Sequence, residues 1–375
     1  MKMHFFPIPL FNLVCAASLC VAPCRAQTAE KAGAGAEEIG SLRNAKVAVP
    51  VTDKKTELTY FAGGMSKEEL AELAKIAPNL KVVTGLKPAD ALARAEEAHG
   101  VDSKFATAEF LAKAKNLAWV QVMSAGVDGV IKNEALVKND KIVLTNHRGV
   151  HGPAIADHAI SLLLSLTRDL RFHAKNQDKK VWGKGTNELT PIALDGRTII
   201  VVGIGGIGSE IAKRAKAFGM TVWATRRSQA PKPEFVDRVE LSPALVSMLP
   251  EADVVAIAAP LTDETKGMFN KEAFAAMKKG SFLINIGRGP IIKQDELIAA
   301  LKSGKLAGAC LDVTDPEPLP AESELWGMKN VVITPHVAGH AEVTDARRWV
   351  LLRENLRRFA AGEPLYNVVD KVAGY

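Results

Sequence analysis

The chain has 375 residues, of which 47% are hydrophobic and 24% charged, and its formal net charge is +6. This composition excludes a disordered chain and a small disulfide scaffold, and at roughly 100–200 residues per domain it predicts two domains. Aromatic residues make up only 6%, and Gly (29) and Pro (19) are near average, which excludes fibrous and low-complexity classes.

At the N-terminus, Lys2 precedes an apolar run from Phe5 to Ala22, and no acidic residue comes before Glu30. Cys24-Arg25-Ala26 then supplies a small residue for cleavage before Gln27. A basic start, an apolar stretch and an A-x-A-like site form a secretory signal in that order. Pro7 and Pro9 break the start of the run, and the rest falls short of the roughly 20 residues that span a bilayer. Residues 1–26 are therefore expected to be cleaved, with export to the periplasm or beyond; a cytoplasmic or organellar protein is the alternative. Val21-Ala22-Pro23-Cys24 resembles a lipoprotein box with an ill-fitting proline, so membrane attachment is expected only if Cys24 is lipidated. Residues 27–44 begin with an Ala-, Gly- and Glu-rich stretch and read as a tether.

Loss of the leader removes Lys2 and Arg25 and no acidic residue, taking +6 to +4. It also removes Cys15, Cys20 and Cys24, so Cys310 alone remains and no intrachain disulfide is expected. The basic residues are scattered among acidic ones with no interleaved aromatics, so nucleic acid is not an expected partner.

From residue 45, strand-like runs alternate with helical patterns. Lys46–Val51, Leu80–Val83, Trp119–Met123 and Ile142–Thr145 read as strands, and Glu68–Ile76 and Phe110–Leu117 as helices. This predicts a small α/β domain ending near Asn146, followed by a connecting helix from Pro153 to Leu170. Six strand candidates follow: Thr198–Val202, Thr221–Thr225, Asp253–Ala259, Phe282–Asn285, Ala309–Val313 and Val331–Thr334. With helices at Ser209–Phe218, Lys271–Met277 and Asp295–Ser303, they predict a doubly wound parallel sheet. A last helix, Val343–Ala361, is long enough to pack back on the first domain.

Gly203-Ile204-Gly205-Gly206-Ile207-Gly208 lies between a strand and a helix, the context in which G-x-G-x-x-G binds a dinucleotide. Gly203 permits the turn, Gly205 lets backbone approach a pyrophosphate, and Gly208 allows close helix packing. The next strand ends in Thr225-Arg226-Arg227-Ser228, where an NAD site would carry a carboxylate. Arg226 and Arg227 would attract a 2′-phosphate, so NADP(H) is expected over NAD(H). Surface charge is the plainer reading of the same two residues.

Three further strands are followed by Arg288, Glu317 and His336. If the strands are parallel, all three emerge at the edge where the glycine turn opens. Arg288 suits a carboxylate and a polarised carbonyl, and His336 can exchange a proton with the carbonyl oxygen. Glu317 would stabilise the imidazolium and fix the ring. Taken singly, each reads as an ordinary surface or loop residue. The shared edge makes them a candidate site for hydride transfer to a 2-keto acid.

The stretch Leu117–Asp128 (Leu-Ala-Trp-Val-Gln-Val-Met-Ser-Ala-Gly-Val-Asp) joins the glycine turn, Pro260-Leu261-Thr262 with Thr265, Asn285–Gly289, Asp312–Pro318 and Thr334-Pro335-His336. In this order they resemble the D-isomer-specific 2-hydroxyacid dehydrogenases, over about residues 45–370. The resemblance implies Arg288, Glu317 and His336 as catalytic residues and Met123, Ser124, Ala125 and Gly126 as a substrate-carboxylate loop. It implies Pro260, Thr265, Ile286, Asp312 and Gly339 around the dinucleotide, with Asp312 near the nicotinamide. It also implies a discontinuous substrate domain of 45–147 and 342–375, a dinucleotide-binding domain of 148–341, and a homodimer. Glu317 argues against the formate dehydrogenase branch, and Arg226-Arg227 resembles the glyoxylate and hydroxypyruvate reductases. A dinucleotide-sensing binding protein of the same fold is the alternative. The pairs His147/His151 and His336/His340 lack the glutamate of a zinc-protease helix, so no metal is expected. His158 reads as a core or interface histidine, and Trp182 as either a flank of the site or a loop anchor.

Overall fold

A run such as Thr-Ile-Ile-Val-Val at 198–202 has no polar face to offer water, so it needs cover on both sides. In the computed structural model, which describes residues 35–42, 46–49, 56–183 and 191–374, two parallel sheets satisfy this requirement. The leader lies outside the described residues. None of the described helices is long and apolar enough to cross a membrane.

The first sheet holds β1 (Leu58–Phe61), β2 (Leu80–Val83), β3 (Gly100–Asp102), β4 (Trp119–Gln121) and β5 (Val143–Thr145), ordered β2-β1-β3-β4-β5. The structure differs from the expectation at the start of this sheet. Residues 46–49 form no strand; the first strand is Leu-Thr-Tyr-Phe at 58–61, and the three-residue β3 was not foreseen either. The expected tether also carries structure, since Ala36–Ile39 is helical and Ile39 is buried against Val150, Leu351 and Tyr366.

The sheet's core is aromatic. Trp119 lies between Tyr60 and Phe359 with ring centroids 5.0 Å away on each side, and its Nε1–H donates to Thr145 Oγ1 at 2.7 Å. Phe359, Leu352 and Leu356 come from the return helix Glu342–Ala361, which covers this sheet with its apolar face.

The second sheet holds β6 (Thr198–Val202), β7 (Thr221–Arg226), β8 (Arg238–Leu241), β9 (Val254–Ile257), β10 (Ser281–Asn285), β11 (Leu306–Leu311) and β12 (Val331–Ile333). Its order is β12-β11-β10-β9-β6-β7-β8, all parallel, so the winding reverses between β6 and β9. Ligands bind beside such a reversal. The strand beyond the six expected is β8, an edge strand whose Arg-Val-Glu-Leu lacks the buried pattern of the others. One further shift concerns β11, which ends at Leu311, so Asp312 and Val313 already belong to the loop beyond it.

The chain crosses between the sheets at residues 146–152 and again ahead of the return helix. His147 is fully buried at the first crossing, and neither of its ring nitrogens makes a hydrogen bond of normal geometry. His151 accepts only the Arg348 guanidinium, 3.0 Å from its Nε2. Burial, His151 and Arg348 hold the His147 imidazole down to about 3, and burial and Arg348 hold His151 down to about 4. In the unfolded chain both take up protons below about 6.5. The unfolded state therefore binds more protons across that window, and stability is lost as pH falls from about 6.5 towards 4. Urea midpoints should accordingly drop between pH 7.5 and 5. His147→Leu, which removes one of the two titrating rings, should flatten that dependence; an unaltered slope would refute this account.

Candidate active site

The glycine turn follows β6 directly. Gly203 has φ +93°, and a Cβ there would lie 2.9 Å from the Ala259 backbone. At Gly208 a Cβ would lie 2.0 Å from the Gly203 carbonyl oxygen, so the helix Gly206–Ala217 can sit this close only without a side chain. Nothing lies within 4 Å of the corresponding position at Gly205, which leaves its outer side open to a ligand. Gly206 and Ile207 begin the helix, whose first N–H groups precede any in-helix acceptor. Gly203 and Ile204 both donate to Thr225 O at 3.1 Å, binding the turn to the strand that ends in Arg226. The Arg226 guanidinium lies over the following loop, donating to Pro231 O at 3.0 Å and to Ala230 O. Arg227 beside it is exposed.

The remaining loops of this sheet open on the same edge. After β9, Thr265 Oγ1 donates to Pro260 O at 2.7 Å and accepts from Thr262 N, closing a turn that keeps Pro260 exposed. After β10, Asn285 is fully buried and clamps the next turn twice. Its Nδ2 donates to Arg288 O at 3.0 Å and its Oδ1 accepts from Gly287 N at 3.1 Å. Gly289 completes the turn, since a Cβ there would lie 1.8 Å from Thr314 O. Ile286 is buried in the core beneath it.

Asp312, past the end of β11, is buried and organises the turn after β12. Its carboxylate accepts from Thr334 Oγ1 at 2.6 Å, Val337 N at 3.0 Å and Ala338 N at 3.1 Å, and its carbonyl accepts from His336 N at 2.8 Å. His158, expected as a core or interface histidine, meets Thr334 Oγ1 at 2.9 Å. These bonds hold His336 at φ +55°, a left-handed conformation that costs a non-glycine residue about 1 kcal/mol or more. In that conformation His336 Nδ1 lies 2.6 Å from Glu317 Oε1, with both side chains open to the cleft. Gly339 closes the turn against His151.

The facing edge of the first sheet supplies Met123–Gly126. The carbonyls of Ser124, Ala125 and Gly126 are taken by His147 N, Asn146 Nδ2 and Ser124 Oγ. The N–H groups of the same three residues meet no protein acceptor among the described residues. Arg288 reaches across to this segment, its Nε donating to Asp128 Oδ2 at 2.9 Å. Asp128 and Asn285 are the residues whose contacts sequence reasoning missed. Both stood inside quoted motifs, but only the folded chain shows what they touch. Trp182 is almost fully exposed at 96%. Among the described residues no cluster of three His, Cys, Asp or Glu side chains is arranged to hold a metal ion.

Residues 160–338 match the family model described as "D-isomer specific 2-hydroxyacid dehydrogenase, NAD binding domain". A glyoxylate reductase of Korarchaeum cryptofilum is 34% identical over 269 residues, covering 70% of this chain and 79% of that one. A D-isomer-specific 2-hydroxyacid dehydrogenase of Xanthobacter autotrophicus, solved with NADPH and MES, superposes with TM-score 0.70 at 30% identity, covering 85% of this chain and all of that one. An NADPH-dependent glyoxylate/hydroxypyruvate reductase of Sinorhizobium meliloti, solved with NADP and sulfate, gives TM-score 0.70 at 29% identity with 85% and 100% coverage.

Removing the Asn285 clamp strands a buried Gly287 N–H, which costs about 1–3 kcal/mol. Asn285→Ala should therefore lower stability by about that amount in urea unfolding, and a midpoint within error of wild type would contradict the clamp.

Proposed function

The chain belongs to the D-isomer-specific 2-hydroxyacid dehydrogenase family, and we propose that it reduces small 2-keto acids of the glyoxylate and hydroxypyruvate kind with NADPH. Its relatives establish the coarser statement, that it is an NAD(P)-dependent oxidoreductase acting on the CH–OH group of 2-hydroxy acids. The observation that carries the finer one is the 2.6 Å contact of His336 Nδ1 with Glu317, on the sheet edge shared by Arg288 and the glycine turn.

The open side of Gly205 and the turn Gly203–Gly208 fit a pyrophosphate, and we read Pro260, Thr265 and Gly339 as flanking the dinucleotide, with buried Ile286 and Asp312 shaping the turns beneath it. When bound, the reduced dinucleotide supplies the hydride. Arg288 holds the substrate carboxylate and polarises the keto oxygen, helped by the N–H groups of Ser124, Ala125 and Gly126. Because Glu317 occupies Nδ1 of His336, Nε2 is the nitrogen that delivers a proton to the keto oxygen and takes it back in the reverse direction. A positioned acid of this kind contributes roughly 10²–10⁴-fold, so His336→Ala should lower kcat by about that factor.

The preference for NADPH rests on Arg226 and Arg227, whose charge favours a 2′-phosphate where an acidic residue would repel it. The two relatives solved with NADPH or NADP support the same choice. Rotation of Arg226 off the Pro231 carbonyl would deliver its guanidinium to that phosphate. Arg226→Asp should shift preference toward NADH, read as the ratio of kcat/KM for the two cofactors; an unchanged ratio would count against this role. Dinucleotide binding without turnover on any 2-keto acid would instead favour the sensor reading.

A homodimer is part of the proposal, supported by Trp182, Val181 and Leu170, exposed at 96%, 53% and 50% in one stretch. So is export after cleavage at residue 26. Mass spectrometry of the mature N-terminus tests this, and an intact Met1 would overturn it.

A further inference from the structure

An arginine side chain is long and loses about 2 kcal/mol of rotamer entropy when held in one orientation. The backbone of Arg288 is clamped by Asn285, and its side chain, 30% exposed, carries its charge into the cleft. Its orientation is set by polar contacts. Asp128 Oδ2 lies 2.9 Å from both Nε and Nη2, and Nη1 donates to Gly287 O at 2.8 Å. A guanidinium has five N–H groups. Hydrogen bonds take the Nε–H and one N–H of Nη1 while Oδ2 lies against Nη2, so each Nη keeps an N–H with no protein acceptor among the described residues. Two such donors make the planar fork that matches a carboxylate, or the carboxylate and keto oxygens of a 2-keto acid.

Gly126 fixes where that fork opens. A Cβ on Gly126 would lie 1.8 Å from Arg288 Nη2 and 2.9 Å from Asp128 Oδ2, so the loop touches the guanidinium where the fork begins. The segment Met123–Asp128 thus carries the N–H groups that face a substrate carboxylate and the carboxylate that turns the arginine. A half-exposed ion pair of this kind adds little to stability. Its geometry, reaching from one sheet's edge to the other's, is what it contributes.

We propose that Asp128 is the positioning residue of the site, orienting Arg288 so that its remaining two N–H groups meet the keto acid. It acts through Arg288 and does not touch substrate. The inference rests on the reading of Arg288 as the substrate anchor. It goes further by making that anchor conditional on the two sheet edges being brought together, because the aiming carboxylate stands on the other one.

The test is steady-state kinetics of the full chain with NADPH and glyoxylate or hydroxypyruvate. Asp128→Ala should raise the keto-acid KM by roughly tenfold or more, with kcat within about threefold and the NADPH KM unaltered, the pattern of lost binding rather than lost chemistry. Asp128→Asn, which keeps an acceptor for the Nε–H, should recover most of the KM. If Asp128→Ala does not fold, Asp128→Glu carries the test, since its extra methylene displaces the guanidinium and should raise the KM similarly. A wild-type keto-acid KM in Asp128→Ala or Asp128→Glu would overturn the positioning role alone. So would a loss shared equally by both substrates and not recovered by asparagine. A wild-type chain that turns over no 2-keto acid would overturn the functional reading and this inference with it.

Discussion

Parallel neighbours cannot be joined by a tight hairpin; the chain must cross back over the sheet before each new strand begins. Both sheets here are parallel throughout, so every connection that leaves a strand's carboxyl end does so on the same edge of its sheet. In the larger sheet, that edge collects the glycine turn after β6 and the loops bearing Arg288, Glu317 and His336. In the smaller, it collects the loop after β4. The Arg288–Asp128 contact ties one edge to the other. Residues more than a hundred positions apart meet because strand direction leaves them nowhere else to emerge.

Within that frame, buried polar groups do the fine placement. Asp312 binds the backbone on both sides of His336, and Asn285 does the same for the turn that carries Arg288. Asn285 uses one donor and one acceptor, and Asp312 two of its carboxylate's three bonds, on loop N–H and C=O groups that a sheet cannot satisfy. The left-handed backbone of His336 persists because those bonds outweigh its local cost. The flanking glycines serve the same end, since Gly287 and Gly289 let the arginine turn lie directly on the carbonyls of Ala259 and Thr314.

How much of this was legible in the chain depended on how locally it was encoded. The β-branched run Thr198–Val202 was read to its boundaries because a strand buried on both faces has an uninterrupted apolar signature. Leu58–Phe61 and Gly100–Asp102 escaped notice because three or four residues are too short to carry a periodic signal. Arg238–Leu241 escaped because an edge strand is allowed its charges. The strand ends bearing Arg288, Glu317 and His336 were readable from strand direction alone. Asp128 was not, because its partner lies 160 residues further on. The helix Ala36–Ile39 was missed for a related reason, as the Gly- and Ala-rich stretch around it carries no periodic signal and only Ile39 finds a buried seat.

The two crossings between the sheets run side by side. His151 on the first packs against Gly339 on the second, and Arg348 spans from the return helix to His151. A single crossing would act as a ball joint and let one half of the molecule twist as well as swing. Two crossings fastened together resist the twist that one alone would allow. A swing that opened the cleft would part Asp128 from Arg288, the pair that ties the two edges together.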